Sequence, residues 1–351
     1  MLGDPRGGSK VWETLDREIG KPGENRRQIV AHGEFQPAAA FHDRENRRNL
    51  RSRSGLPMCI QFFRPRATGR IEFSARLLLS SSSGYSHIQA DETPVDVQMH
   101  EGRGKNHQAY LWQYGRPGGS VVFDFCLGRG RDGPKRFLGQ FEGILQTDGY
   151  AAHDQIGGPR MVHAACWAHA RRQFFEAVQL NPRDPVAAPI VAQRDELFAV
   201  DAEARRKTLT TAARNIRRRE TARPLLDDIR SKIEAAQSAA LPSCALSKAC
   251  QYALALWKKL TRFLEYPELE LSTNLAENSM RPVALGRKNW LHIGSPQAGP
   301  KVAAILSVVE SCRRLQVPVR DYFSTILPGL ADLPIRCLPD LTPAEWVARH
   351  S

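Results

Sequence analysis

The chain has no apolar run approaching the roughly 18 residues that a membrane-spanning helix needs. Its first residues, MLGDPRGGSK, contain no hydrophobic core of a secretory leader. The expectation is a cytoplasmic chain with no membrane partner. Cysteine is sparse and unpaired in pattern. There are seven in 351 residues, at 59, 126, 166, 244, 250, 312 and 337, and no Cys-x-x-Cys pair. An odd count without close pairs excludes a disulfide scaffold and a zinc ribbon. No repeat of 20–50 residues is visible, which excludes a solenoid. Acid is also in deficit: 37 Asp and Glu face 50 Lys and Arg, a formal charge of +13. Such an excess points to a polyanionic partner, most often nucleic acid.

At 42% hydrophobic and 25% charged the composition is that of a globular protein. The texture changes along the chain. Residues 1–85 form an irregular basic segment without a sustained period of 3.6 or 2. Residues 1–86 hold 15 Lys or Arg against 9 Asp or Glu. One short apolar run, Met58 to Phe63, could be a strand. The segment is expected to add little to the core.

From Tyr85 the pattern becomes ordered. HIQADETPVDVQ (87–98), AYLWQYG (109–115) and SVVFDFCL (120–127) read as three strands separated by turns. PKRFLGQF (134–141) reads as a short helix, GILQTDGY (143–150) as a strand ending at Asp148, and RMVHAACW (160–167) as another strand. AHARRQFFEAV (168–178) reads as a helix with Ala170, Phe174 and Val178 on one face. Residues 184–265 read as several helices without strands. A helix then starts near Asn274, to be ended or kinked by Pro282. An amphipathic helix over 299–315 aligns Val302, Ile305, Leu306 and Val309. Strands feeding helices in this order suggest a mixed α/β sheet.

Four constellations could carry chemistry. Gly128, Gly130 and Gly133 match G-x-G-x-x-G after a strand and before a helix, the local fingerprint of a dinucleotide fold. Against this, the helix is short, Pro134 follows the last glycine, and three strands precede the motif. His163, Cys166 and His169 are spaced by three and invite a zinc reading, but no fourth ligand is evident.

The third set is acidic: Asp91 within a strand, where a carboxylate is unfavourable without a task, Asp148 at a strand end before Gly149, and Glu277 on a late helix. Three carboxylates at about 4 Å would repel by roughly 4 kcal/mol per pair at an effective dielectric near 20. Such a cluster calls for cations, and an all-oxygen site suits Mg²⁺ or Mn²⁺. Each acid also has an ordinary structural reading. Asp91 could be an exposed strand residue, Asp148 a turn former, and Glu277 a capping-box partner of Asn274. The fourth set is basic and aromatic, with Arg281, Arg287, Lys288 and Trp290 placed to grip phosphate and stack on a base. Its alternative is a solvated loop with a core tryptophan.

Together, QADETPV (89–95), GILQTDGYAA (143–152), CWAHARRQFFEA (166–177) and NLAENSMRPVALGRKNWLHIGS (274–295) resemble the insertion-sequence-66 family of DDE transposases. The resemblance covers roughly residues 86–335. It implies a ribonuclease-H-like mixed sheet core with an all-helical insertion before the last catalytic acid. It maps the catalytic and metal-binding triad onto Asp91, Asp148 and Glu277, with two Mg²⁺ or Mn²⁺ ions. It maps a near-site Cys-x-x-His signature onto Cys166 and His169. The implied organisation is a core over 86–183, a helical insertion over 184–268, the rest of the core over 269–335, and a tail over 336–351. The implied activity is DNA cleavage and strand transfer at insertion-sequence ends. Transposon and target DNA, a homo-oligomer and accessory proteins of the same element are the implied partners. Residues 1–85 show none of the coiled-coil, cysteine-containing or helix-turn-helix regions that usually open the family, and the ending LTPAEWVARHS is also atypical. A truncated copy is therefore expected. A nuclease of the same fold without strand transfer, or a non-catalytic DNA-binding remnant, are the alternatives.

Overall fold

The structure, a computed structural model, describes residues 87–99, 106–290, 292–330 and 332–350. The basic segment before His87, including the candidate strand at 58–63, lies outside the described residues.

Five strands make one mixed sheet: β1 (His87–Val97), β2 (His107–Gly115), β3 (Val121–Cys126), β4 (Ile144–Thr147) and β5 (Val162–Ala165), in the order β3-β2-β1-β4-β5. β2 runs antiparallel to both β1 and β3, while β4 pairs parallel with β1 and β5 parallel with β4. Short loops allow the hairpin pairings, whereas the parallel step from β1 to β4 needs a long crossover. That crossover contains β2, β3 and α1 (Asp132–Leu138).

The strands alternate faces with period two. Ile88 and Ala90 of β1 join Trp112, Tyr114, Phe137 and Leu145 in a core on one side. Val95 and Val97 point to the other side, against Leu111, Phe123, Met280 and Val283. Apolar side chains pack on both faces, and His87, Gln89 and Thr93 of β1 are buried polar residues among them.

α2 (Trp167–Leu180) follows β5 and buries Trp167, Ala170, Phe174 and Ala177. A helical block comes next: α3 (Ala187–Arg206), α4 (Thr211–Arg217), a π-helical turn (Arg218–Ala222), α5 (Arg223–Ala239) and α6 (Ala245–Ala255), then short helical turns to Leu264. Its own core unites Phe174, Ile190, Ile229, Ile233, Leu246 and Cys250. The chain returns to the sheet with α7 (Asn274–Trp290) and α8 (Gly299–Arg314), followed by α9 (Val319–Ile326) and α10 (Pro343–His350). No helix among the described residues is long and apolar enough to cross a membrane.

Two sequence expectations need correction. Pro282 neither ends nor sharply limits α7, which continues eight residues further to Trp290. One missing N–H is tolerated because Met280 and Val283 on either side are buried against the sheet. In α8 the aliphatic stripe turns inward only in part: Val302 and Leu306 pack against the sheet core, Ile305 is half exposed, and Ala303, Glu310 and Ser311 are buried. The reason is β3, an edge strand with free backbone groups. Ser307 Oγ accepts the Phe123 N–H at 2.8 Å, and Ser311 Oγ accepts from Val121 N at 3.0 Å while donating to its carbonyl. Hydrogen bonding to that edge decides which side of α8 turns inward.

Candidate active site

His87, Gln89 and Asp91 point to one face of β1. The parallel register sets His87, Ile88 and Gln89 opposite Ile144, Leu145 and Gln146, an offset of 57 residues. Asp148 is also 57 residues beyond Asp91. Asp148 carries a charge that acts on Asp91, among the causes that raise the Asp91 carboxyl.

Below the acids the face is polar, and all but Gln89 Oε1 of its two glutamine side chains is hydrogen-bonded. Gln89 Nε2 donates to Gln146 Oε1 at 3.0 Å, and the His87 ring lies 3.1 Å from the same oxygen. Burial pushes His87 down to about 4, so its ring is neutral.

Asp148 sits just past the end of β4, one residue beyond the strand's last member. Its Oδ1 accepts the Tyr150 N–H at 2.8 Å, and its carbonyl accepts from the Tyr252 hydroxyl on α6. Gly149 makes the turn possible. Its φ is +96°, and a Cβ there would lie 2.4 Å from Leu256 Cδ1. The expectation that Gly149 lets the chain turn away holds on both counts.

Glu277 arrives from the other side. Its helix begins at Asn274, and the Thr273 carbonyl accepts the N–H groups of Ala276 and Glu277. Thr273 is therefore the cap residue, and Glu277 lies at N4. A capping box needs its acid at N3, reaching back to the cap N–H. Here the Thr273 N–H goes to Cys166 Sγ at 3.3 Å. Freed from capping, the Glu277 carboxylate lies 3.6 Å from His169 Nε2.

Cys166 and His169 act as one unit. Cys166 is wholly buried at the start of α2. Burial pushes its thiol up, but the neighbouring His169 ring and the Thr273 N–H bring it below the ordinary value. Burial likewise pushes His169 down, and the Cys166 sulfur with the charges of Glu277 and Asp148 reverses this, to about 9. His163 interacts instead with Lys259 and Asp154. The three residues therefore do not converge, which removes the zinc reading.

The charge balance of the acids is uneven. Asp91 is pushed up to about 7, first by burial and then by Glu92, Glu277 and Asp148. Glu92 is matched by Arg129, whose guanidinium donates twice to Oε1 and lies 4.1 Å over the Tyr150 ring. Among the described residues no cation bonds Asp91, which accepts a hydrogen bond from the Glu92 N–H at 2.9 Å. Among the described residues, no three His, Cys, Asp or Glu side chains are placed to hold a metal ion as they stand. The donor set is nevertheless all oxygen, and the strain of like charge on Asp91 is what a hard divalent cation relieves.

The basic set separates. Arg287 donates through Nη1 to the Pro94 carbonyl of β1 at 2.6 Å, so part of its guanidinium is structural. Lys288 and Arg281 are exposed on α7. The Trp290 side chain lies outside the described residues. The glycine motif does not begin a dinucleotide fold. It follows β3, an antiparallel edge strand, whereas the fingerprint requires a parallel unit at the sheet centre.

Sequence reasoning missed the glutamines. A signal was present: Gln89-Ala90-Asp91 and Gln146-Thr147-Asp148 repeat Gln-x-Asp on two strands, and period two puts both members on one face. Arg129 and Tyr252 had no comparable signal, because long-range folding alone brings them to the acids.

A family model described as Transposase IS66 family matches residues 74–301, which include all three acids. Two uncharacterized proteins of Sinorhizobium fredii, y4hP and y4qI, are each 29% identical, over 283 and 277 residues, covering 74% of this chain. A third, y4jD, is 28% identical over 288 residues. The alignments cover 50%, 51% and 56% of these relatives, so the chain spans about half the length of the curated relatives it matches.

Proposed function

The chain belongs to the transposase IS66 family, and from this we propose that it cleaves and joins DNA strands at insertion-sequence ends, using Asp91, Asp148 and Glu277. The observation that carries this reading is the shared 57-residue offset of β1 against β4 and of Asp91 against Asp148. It supports a site at the ends of these two strands, as does the influence of Asp148 and Glu277 on the charge of Asp91.

The fold we assign is ribonuclease-H-like. Three antiparallel strands followed by two parallel ones, in the order β3-β2-β1-β4-β5, support it. In this assignment residues 86–183 and 269–335 form the core, 184–268 the insertion and 336–351 the tail. DNA as the partner is supported by family membership and by the charge of +13.

Asp91 and Asp148 would hold two Mg²⁺ or Mn²⁺ ions from the strands, and Glu277 from α7. When bound, such ions supply the positive charge that activates an attacking oxygen and steadies the leaving one. The protein's own part is positioning. Gly149 and Tyr252 fix Asp148, the glutamine pair fixes the strands, and His169 orients Glu277. Exposed Lys288 and Arg281 lie on the same helix as Glu277, where they would hold phosphates.

The test is a supercoiled plasmid carrying insertion-sequence ends, incubated with the chain and Mg²⁺ or Mn²⁺ and resolved on a denaturing gel. Cation-dependent nicking and joining, lost in Asp91→Asn and Asp148→Asn, is the expected result. Nicking without joined products would leave a nuclease, and binding without nicking would end the catalytic reading.

A further inference from the structure

Residues 269–273 connect the helical block to α7 without helix or strand of their own, yet the core grips them one after another. The Leu269 carbonyl accepts from Arg218 Nη2 at 2.7 Å and the Glu270 carbonyl from Gln146 Nε2 at 2.6 Å. The Leu271 carbonyl accepts from Trp167 N at 2.8 Å, and the Ser272 carbonyl from Gln89 Nε2 at 2.9 Å. Thr273 N then donates to Cys166 Sγ. Four of these donors or acceptors belong to β1, β4 or the start of α2. Arg218 alone comes from the helical block.

Arg218 is fully buried in the π-helical turn. It bonds Asp201 Oδ1 through Nε at 2.9 Å, and through Nη1 it donates to the carbonyls of Phe263 and Pro267 at 3.2 and 3.1 Å. Asp201 is further held by Arg205 and Arg214, and both also reach the Glu270 carboxylate. A buried ion pair is weak evidence for stability, since apolar replacements are often as stable. What a planar fork supplies is geometry: fixed directions to several acceptors at once.

We infer that Arg218, with Asp201 as its counter-ion, is a positioning residue that fixes the strap 269–273 and thereby sets where α7 presents Glu277. Its catalytic consequence rests on the transposase reading; its structural consequence does not. The helical block then serves as a strut for the third acid, which explains why a residue eight positions upstream of Glu277 is tied to that block.

The experiment uses the full chain with the double variant D201N/R218M, which removes both members of the buried pair and leaves Arg205 and Arg214 paired with Glu270. Hydrogen exchange is followed at residues 269–277 and, for comparison, within α3. Mn²⁺ is titrated without DNA, and plasmid nicking is measured at several DNA concentrations. Expected are faster exchange confined to 269–277, a higher Mn²⁺ midpoint, and kcat lower by about tenfold or more with KM for DNA unchanged, as for small misplacement of a reacting group. Arg217→Ala, which removes the pair with Glu203 of α3, should change none of these. Unaltered exchange at 269–277, or exchange raised equally throughout, overturns the inference. Should the double variant not fold, Arg218→Lys, which keeps the charge but not the fork, is judged by the same results. A wild-type chain that does not nick DNA counts against the transposase reading, while the exchange data still decide the role of Arg218.

Discussion

Gln89 gives its side-chain amide to Gln146 Oε1 at 3.0 Å across the parallel pair β1 and β4, and each glutamine stands two residues ahead of a candidate catalytic acid. The pair locks the register of β1 against β4. Gln146 also donates to the Glu270 carbonyl, and Gln89 to that of Ser272. The same two side chains therefore connect the strands to the strap that leads to Glu277.

Gln146→Leu should be costly for its size. It leaves the Gln89 amide, the His87 ring and the Glu270 carbonyl without this partner in buried surroundings. Each abandoned group costs about 1–3 kcal/mol. Urea unfolding should show a loss of about 3 kcal/mol or more. A change within the scatter of surface substitutions would show that the ladder is dispensable.

Glu277→Gln should abolish cation-dependent nicking and leave metal-free DNA binding unchanged or slightly tighter, since a carboxylate repels phosphate. Thermal stability should hardly move, because Glu277 lies at N4 and caps nothing. Gel-shift and nicking assays on one preparation separate the two effects. An active Glu277→Gln protein would remove Glu277 from the triad.

Gly149→Ala should damage the site and the fold together. The left-handed φ of +96° and the 2.4 Å approach to Leu256 both oppose a Cβ. Strain of this kind costs about 1–3 kcal/mol. The displaced Asp148 should then lose cleavage, as read by nicking under conditions where circular dichroism shows the variant folded.

His87 predicts a pH dependence of stability. Its folded value of about 4 lies below the ordinary 6.5 because burial disfavours the charged ring. As pH falls from 6.5 to 4 the unfolded chain takes up a proton that the folded chain does not. Stability is thus complete above 6.5 and falls by about 3 kcal/mol on reaching pH 4, at about 1.4 kcal/mol per unit. Urea midpoints of wild type and His87→Gln across this range should converge in acid relative to their difference at pH 7.5. Parallel curves would refute a buried neutral His87.

Lys288→Ala should weaken binding to DNA of any sequence and lower the log–log salt slope by about 0.9, the share of one neutralised phosphate on duplex DNA. Arg287→Ala should add a loss of stability, because its Nη1 bonds the Pro94 carbonyl. Two variants with equal salt slopes and equal unfolding midpoints would show that Arg287 has no structural task.

The sequence by itself determined the elements and their order. Alternating apolar residues in β1 and β2, the Gly149 turn and the amphipathic α2 are local signals, written in spacings of two to four residues. It also singled out three acids, one within a strand, one at a strand end and one on a late helix, and the Gln-x-Asp repeat on both strands was legible there. The pairing of β1 with β4 was left to the tertiary structure, since parallel register joins residues 57 apart and no local preference encodes it. The same holds for the serines that turn α8 onto β3, for the Thr273 cap that moves Glu277 from N3 to N4, and for Arg218 reaching the strap. In each case a buried backbone N–H or carbonyl had to find a partner once water was excluded, and only the packed chain shows which side chain is close enough to provide it.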